Sequence, residues 1–318
     1  MENKPIVSVV MCVYNENQYM IEEAIQSVQE QTYKNWELII VLDNPTDIEL
    51  SAYLLGKKSD NIRVHINDQN IGAAMSRNIG TQNANGKYIA ILDGDDVCVP
   101  ERLEKELCYL EAGNYDMVCT GRHLIDENGN KIDAPVEDIT EQYLIKCLPY
   151  INYVTNSTVL IKKKVYESLG GYYNYPCAHD YDFWLRLKKA QYKIGYLKED
   201  LVGYRVRANS ITGNSSYLQT IVCAYVRKLY EKNKILAQYD GVQFEKFVER
   251  FHVDNPKVIK NFRRSMQKRR NFTTELKRKK YYVAMWNYAC AVFGSKIYRQ
   301  NIYNSVKLKW MKMVNFLE

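Results

Sequence analysis

The run Tyr88–Asp96, YIAILDGDD, constrains the fold more than any other stretch of this 318-residue chain. It is entered through Asn85-Gly86, stays apolar from Tyr88 to Leu92, and closes on three carboxylates around Gly94. An uninterrupted apolar run of that length predicts a strand buried on both faces. Asp93, Asp95 and Asp96 then fall at its carboxyl end, where open α/β sheets bind their ligands. Carboxylates this close repel one another unless a cation sits among them, and hard oxygen donors suit Mg²⁺ or Mn²⁺ holding a phosphate. An acidic turn capping a helix that starts near Pro100 is the plainer alternative, and the stretch alone leaves both open.

The flanking sequence alternates strand and helix in the manner of a parallel sheet covered by helices. Ile6–Val13, Trp36–Leu42 and Ile62–Ile66 are expected as strands. Helices are expected over Met20–Glu30, where Ile21, Ala24, Ile25 and Val28 share a face, over Ile48–Leu55, and over Gly72–Asn83, which carries Arg77 and Asn78. Beyond Asp96 the pattern gives a helix from Pro100 to Glu111, a strand at Met117–Gly121 and a hairpin about Asn128-Gly129. A helix over Ile139–Cys147, a strand over Ser157–Ile161, a helix over His179–Ala190 and a strand over Leu201–Val206 follow. From Tyr217 onward only helices are expected: Tyr217–Lys232, Gln243–Phe251, Lys257–Arg270 and the apolar Tyr281–Phe293.

Charge divides the chain. Residues 219–318 hold 22 Lys and Arg against 7 Asp and Glu, whereas residues 1–218 hold 22 against 30. The eight cysteines are scattered without a CxxC pair, and no basic-then-apolar leader precedes Pro5, which points to reduced thiols in a cytoplasmic protein. No apolar run reaches the ~18 residues needed to cross a bilayer.

With these pieces in order, the sequence resembles the family 2 glycosyltransferases, inverting nucleotide-sugar transferases of the GT-A fold. The resemblance rests on six motifs: VSVVMCVYNE at 7–16, the acidic loop at 43–47, NIGAAMSRNIG at 70–80, YIAILDGDD at 88–96, PERLEKEL at 100–107 and HDYDFWLRL at 179–187. It implies a Rossmann-like, mostly parallel sheet flanked by helices, with a GT-A catalytic domain over 1–216 and a basic helical region over 217–318. Within the catalytic domain, about 1–97 would hold the nucleotide sugar and about 98–216 the acceptor.

By that resemblance Val13, Tyr14, Asn15 and Asp43 hold the base and ribose. A carboxylate at 43 can accept the imide N–H of a pyrimidine, which favours a UDP donor, or Asp43 simply begins the turn. Arg77 lies by the nucleotide or diphosphate, or makes a surface ion pair. Asp93, Asp95 and Asp96 fill the DxD-type position, with the divalent cation, Mn²⁺ or Mg²⁺, assigned chiefly to Asp95 and alternatively to Asp96. The base that takes the acceptor's proton is by the same resemblance Asp180, or Asp180 simply caps its helix; Asp182, the other candidate, should by its spacing turn toward solvent or a salt bridge.

Two positions depart from the family pattern. His179 stands where glutamate usually precedes the base, and in YRVRANSIT at 204–212 Arg207 replaces a histidine often seen as a metal ligand. Arginine cannot ligate a cation, so either the ion keeps an extra water or Arg207 contacts the diphosphate. The basic arm suits an anionic membrane surface on the inner face of the cell membrane, or packing on the catalytic domain or a twin subunit. No nucleic-acid module accompanies its charge. The expected activity is transfer of a sugar to a hydroxyl of a surface-glycan or lipid-linked acceptor. The rivals are transfer to a polyprenyl phosphate and a nucleotide-sugar-binding subunit without turnover.

Overall fold

In a computed structural model, which describes residues 6–133, 139–207, 216–279, 281–295 and 297, the first three strands are β1 (Val7–Val13), β2 (Trp36–Leu42) and β3 (Ile62–Ile66). β4 (Tyr88–Asp93) pairs parallel to β1, which pairs parallel to β2, which pairs parallel to β3. Every residue of β1 and β2 is buried, which explains why these runs are apolar rather than alternating except at Ser8 and Glu37, where the Ser8 hydroxyl donates to Glu37 Oε1 at 2.6 Å.

Three helices make the crossovers: α1 (Gln18–Gln29), α2 (Ile48–Leu55) and α3 (Ala73–Gln82). Asn17 and Asp47 cap α1 and α2 by accepting the amides of Tyr19 and Leu50. α3 runs close against the sheet at Gly80, where a Cβ would lie 2.5 Å from Val10 Cγ1. Any larger residue there would force the helix off β1.

The register pairs Val13 with Leu42 and Cys12 with Asp93, so the tips of β1, β2 and β4 lie level along one edge. This half of the sheet has the parallel character expected of the sequence.

The remainder of the sheet is mixed. It comprises β5 (Val97–Cys98), β6 (Met117–Ile125), β7 (Lys131–Ile132), β8 (Val159–Lys162) and β9 (Ile194–Arg205), in the order β3-β2-β1-β4-β8-β6-β9-β5 with β7 on β6. β8 is antiparallel to both β4 and β6, whereas β9 is parallel to β6 with register shifts about Gly121. β6 and β7 form the hairpin about Asn128-Gly129. Helices α4 (Arg102–Ala112), α5 (Glu141–Cys147), α6 (Lys163–Ser168) and α7 (His179–Lys189) complete this part.

Contacts divide the chain into two units, residues 1–148 with 152–210 and residues 149–151 with 211–318. The second unit carries α8 (Ser216–Glu231), α9 (Gly241–Glu249), α10 (Pro256–Lys277) and α11 (Tyr281–Gly294). Its core gathers Tyr217, Ile221, Phe251, Phe262 and Ile297, with the Tyr217 hydroxyl donating to the Phe251 carbonyl at 2.8 Å. Among the described residues no helix is long and apolar enough to cross a membrane, and all eight cysteines are free thiols.

Candidate active site

The strand tips gather side chains from four sequence motifs. At the end of β2, Asp43 is 4 % exposed and its carboxylate is already engaged. Oδ1 accepts Asn67 Nδ2 at 2.7 Å and the Ile71 amide at 2.9 Å, and Oδ2 accepts the Gly72 amide at 2.8 Å. Gly72 has φ +87°, a conformation that glycine adopts without strain, and this turn starts α3. Asp43 therefore holds the 67–72 loop, at the strand edge where the family resemblance leads one to expect the nucleotide. Val13, whose carbonyl accepts the Asp43 amide at 2.8 Å, is buried, while Tyr14 and Asn15 are exposed beyond it.

Three consecutive residues of α3 fan out in three directions, as the ~100° turn per helical residue requires. Ser76 Oγ accepts Asn67 Nδ2 at 2.9 Å and so ties the helix to the Asp43 loop. Asn78 closes two bonds with the backbone of Tyr172, Oδ1 accepting the amide at 2.9 Å and Nδ2 donating to the carbonyl at 2.8 Å. Arg77, 6 % exposed, points between them. Its Nη2 donates to Asp93 at the tip of β4, and its Nη1 lies 2.8 Å from His179 Nε2 in the first turn of α7. One guanidinium thus joins residues 77, 93 and 179.

Because arginine only donates, His179 Nε2 must be the acceptor and the ring hydrogen lies on Nδ1. Burial, and next the Arg77 charge, push the His179 pKa well below its ordinary value, so the ring is neutral. Its buried Nδ1 has no hydrogen-bond partner among the described residues. Asp180 follows, with Oδ2 accepting Asn152 Nδ2 at 3.1 Å. Desolvation raises its pKa, against the lowering effects of the Tyr181 amide, the Arg77 charge and Asn152.

α7 is held firmly beneath this first turn. Phe183, Trp184 and Leu187 are fully buried, and Phe183 and Trp184 pack edge-on to Tyr172 at 5.2 and 6.3 Å between ring centroids. Asp182 is 1 % exposed and accepts Arg186 Nε at 2.8 Å, so of the two alternatives, solvent or salt bridge, it takes the second and takes it in the core. Ala178, immediately before the helix, has φ +54°, a left-handed conformation that costs an alanine ~1–2 kcal/mol and that the packing of α7 must sustain, since no side chain among the described residues caps this helix.

After β4 the DGDD turn divides its carboxylates among protein donors. Asp96 is 1 % exposed; Oδ1 accepts the Arg205 amide at 2.8 Å, and Oδ2 is enclosed without a partner among the described residues. Burial first, then the charges of Asp95 and Asp93, raise its pKa well above the usual carboxylate range. Arg205 clamps the turn by donating from Nε to the Asp95 carbonyl at 2.7 Å and from Nη2 to Glu23 at 2.7 Å. Asp95 Oδ2 lies 2.6 Å from Arg207 Nε, and Arg207 Nη2 reaches Glu16 Oε1 at 3.3 Å. Burial pushes the Asp95 carboxyl up to about 6, against the pull of Arg207.

These placements bear on the expected metal. A divalent ion needs hard oxygens converging on an open position. Asp93 is on Arg77, Asp95 on Arg207 and Asp96 on a backbone amide. No three His, Cys, Asp or Glu side chains among the described residues form a cage for an ion. As arranged, the donor set does not fit a divalent cation, because the cation beside Asp95 is a guanidinium.

Glu16, Asn67, Asn152, Arg205 and Ser157, whose Oγ accepts the Asp93 amide at 3.2 Å, also build the site, and sequence reasoning did not single them out. Polar residues just past strand ends, such as Glu16 and Asn67, were the available signal. A depression of about 460 Å³ among Asn85, Gly86, Lys87, Lys163 and Glu167 opens at the opposite ends of the strands and holds none of these groups.

A parallel β3-β2-β1-β4 half with acidic tips, continued by a mixed half that returns α7 to those tips, defines a GT-A transferase architecture. Staphylococcus aureus TarS residues 1–349, solved in complex with UDP-GlcNAc, shares this fold with a TM-score of 0.56 at 18% identity, over 76% of this chain and 70% of that one. The chain belongs to glycosyl transferase family 2, whose model matches residues 8–170. It is 34% identical over 239 residues to an uncharacterized glycosyltransferase of Methanocaldococcus jannaschii, spanning 73% of this chain and 81% of that protein. It is 30% identical over 237 residues to the O-antigen biosynthesis glycosyltransferase WbnJ of Escherichia coli, spanning 74% of this chain and 92% of the relative.

Proposed function

We propose that this glycosyltransferase is an inverting enzyme that moves a hexosyl unit from a UDP-sugar to a hydroxyl of a surface-glycan or lipid-linked acceptor, with Asp180 as the base. The observation that carries the proposal is the Arg77 bridge, which sets the first turn of α7 beside the tip of β4. The base and ribose would lie on Val13, Tyr14, Asn15 and Asp43, and the diphosphate beyond Asp93 and Asp95. UDP is supported by the UDP-GlcNAc that TarS binds, and a glycan acceptor by the O-antigen pathway of WbnJ.

In the reaction the acceptor oxygen forms its bond to the anomeric carbon as the bond from that carbon to the diphosphate oxygen breaks on the opposite face. The hydroxyl proton passes to Asp180, and UDP leaves with the electron pair. A raised carboxylate pKa suits this task, because it brings the base closer to the operating pH. Asn152 fixes one oxygen, and the neutral His179 adds no charge that would suppress the proton transfer. Mg²⁺ or Mn²⁺ at Asp95, expected from the family pattern, would supply charge neutralisation on the diphosphate but would have to displace Arg207, and no step here depends on it.

The basic helices would keep the enzyme on an anionic membrane. α11 exposes Tyr282 at 94 %, Trp286 at 68 % and Phe293 at 76 %, and α10 presents a run of lysines and arginines.

The test is Asp180→Asn. Turnover with a UDP-sugar and acceptor panel should fall by about 10²–10⁴-fold, while the affinity for UDP stays within about twofold. Undiminished turnover would remove Asp180 from the role. UDP binding without turnover of any donor by the parent protein would indicate a binding subunit instead.

A further inference from the structure

We infer that Arg207 is a cation carried by the chain in the position a divalent ion would take, so that the protein binds its nucleotide diphosphate without metal. The inference deepens the donor reading above and rests on it.

Arg207 reaches the site by strand alternation. β9 ends at Arg205, and the extended chain sends Val206 outward, 45 % exposed, while Arg205 and Arg207 both turn toward the DGDD turn. The backbone there is stapled, since the Arg205 amide donates to Asp96 Oδ1 at 2.8 Å and Arg205 Nε to the Asp95 carbonyl at 2.7 Å. Position 207 is therefore delivered to Asp95 by the fold. Its side chain is 20 % exposed, and those of Asp95 and Glu16 are 13 % and 12 % exposed, so the cluster is partly withdrawn from water, where charge pairing strengthens.

An ion arriving at Asp95 would meet a guanidinium at 2.6 Å from the oxygen it needs, and would then sit beside that positive charge. Of the neighbouring carboxylates, Asp93 is tied through Oδ1 to Arg77, whose positive charge lies beside it, and the free oxygen of Asp96 is enclosed. A guanidinium suits the work left to do. Its planar fork matches phosphate oxygens, and it cannot be deprotonated or lost to a chelator. Arg207 directs Nε to Asp95 and Nη2 to Glu16, so Nη1 is the donor it would turn to a diphosphate.

Titration calorimetry of the full chain with UDP, in EDTA and in Mn²⁺, tests the inference. The parent protein should bind UDP with dissociation constants within about twofold of each other in the two buffers. Arg207→Ala should bind about tenfold or more weakly in EDTA, the size of one lost charge-assisted contact, and should recover in Mn²⁺ because Asp95 is then open to the ion. Arg207→His should bind well only in Mn²⁺, since neutral imidazole is a metal ligand and guanidinium is not. Binding by the parent protein that vanishes in EDTA and returns with Mn²⁺ would overturn the inference and leave the UDP-donor proposal standing. Arg207→Ala binding like the parent in EDTA would do the same. Absence of UDP binding by the parent in both buffers would overturn both.

Discussion

Truncating Asp43 to alanine separates two roles that the sequence could not tell apart, contact with a nucleotide base and support of the protein itself. The carboxylate accepts three donors, Asn67 Nδ2 and the amides of Ile71 and Gly72, at 2.7, 2.9 and 2.8 Å. A hydrogen bond to a charged group contributes about 1.5–3 kcal/mol, and the half-buried Ile71 and Gly72 amides can regain part of that from water. Asn67, 3 % exposed, has less access to replacement. The sum is ~3–5 kcal/mol lost from the unliganded protein, equivalent to a fall in Tm of roughly 10 °C for a unit of this size. Urea unfolding followed by circular dichroism measures it, and amide exchange should show residues 67–72 opening first. Thr46→Ala, in the same loop but exposed, is the control and should stay within about 0.5 kcal/mol of the parent. If Asp43→Ala unfolds within about 1 kcal/mol of the parent, the carboxylate does not hold the loop and the bond-by-bond reasoning fails.

Two further outcomes are expected. Transfer should lose rate on the acid side with a midpoint above that of an ordinary aspartate, because burial raises the Asp180 pKa and the base works only when deprotonated; an acid limb at or below the ordinary aspartate range would contradict that environment. Replacing the exposed Tyr282 and Trp286 by serine should reduce flotation with anionic liposomes without lowering the unfolding midpoint, and unchanged flotation would remove the membrane surface from the role of the arm.

Much of the fold was legible because its elements satisfy local rules. Trp36–Leu42 and Ile62–Ile66 are strands at the expected bounds, and Ile48–Leu55 is a helix at its expected bounds, since apolar runs and cap residues mark them in the sequence. β9 begins at Ile194 rather than Leu201. Its early residues include Gly195, Lys198, Glu199 and Asp200, which carry no strand signature, and only pairing with β6 across a bulge makes them extended. α10 continues to Lys277, past the expected end at Arg270, through a stretch whose paired threonines lower its intrinsic helicity.

The site was legible as a set of residues and not as a set of bonds. That Arg77 would choose Asp93 and His179, or Arg207 choose Asp95, depends on contacts spanning 16, 102 and 112 residues of sequence. Such choices follow from the register of the sheet and the docking of α7. Asp182 illustrates the same limit. Its i,i+4 partner Arg186 was readable from spacing, but the burial of the pair against the Leu169 and Gly171 carbonyls was not.

The most direct measurement is a crystal structure of the protein with a UDP-sugar bound. The uracil and ribose should rest on Val13–Asn15 and Asp43, with the diphosphate beside Arg207 and Asp95 and the anomeric carbon facing Asp180. A diphosphate lodged instead at the opposite ends of the strands, by Lys87 and Lys163, would contradict the assignment of this edge of the sheet as the place of transfer.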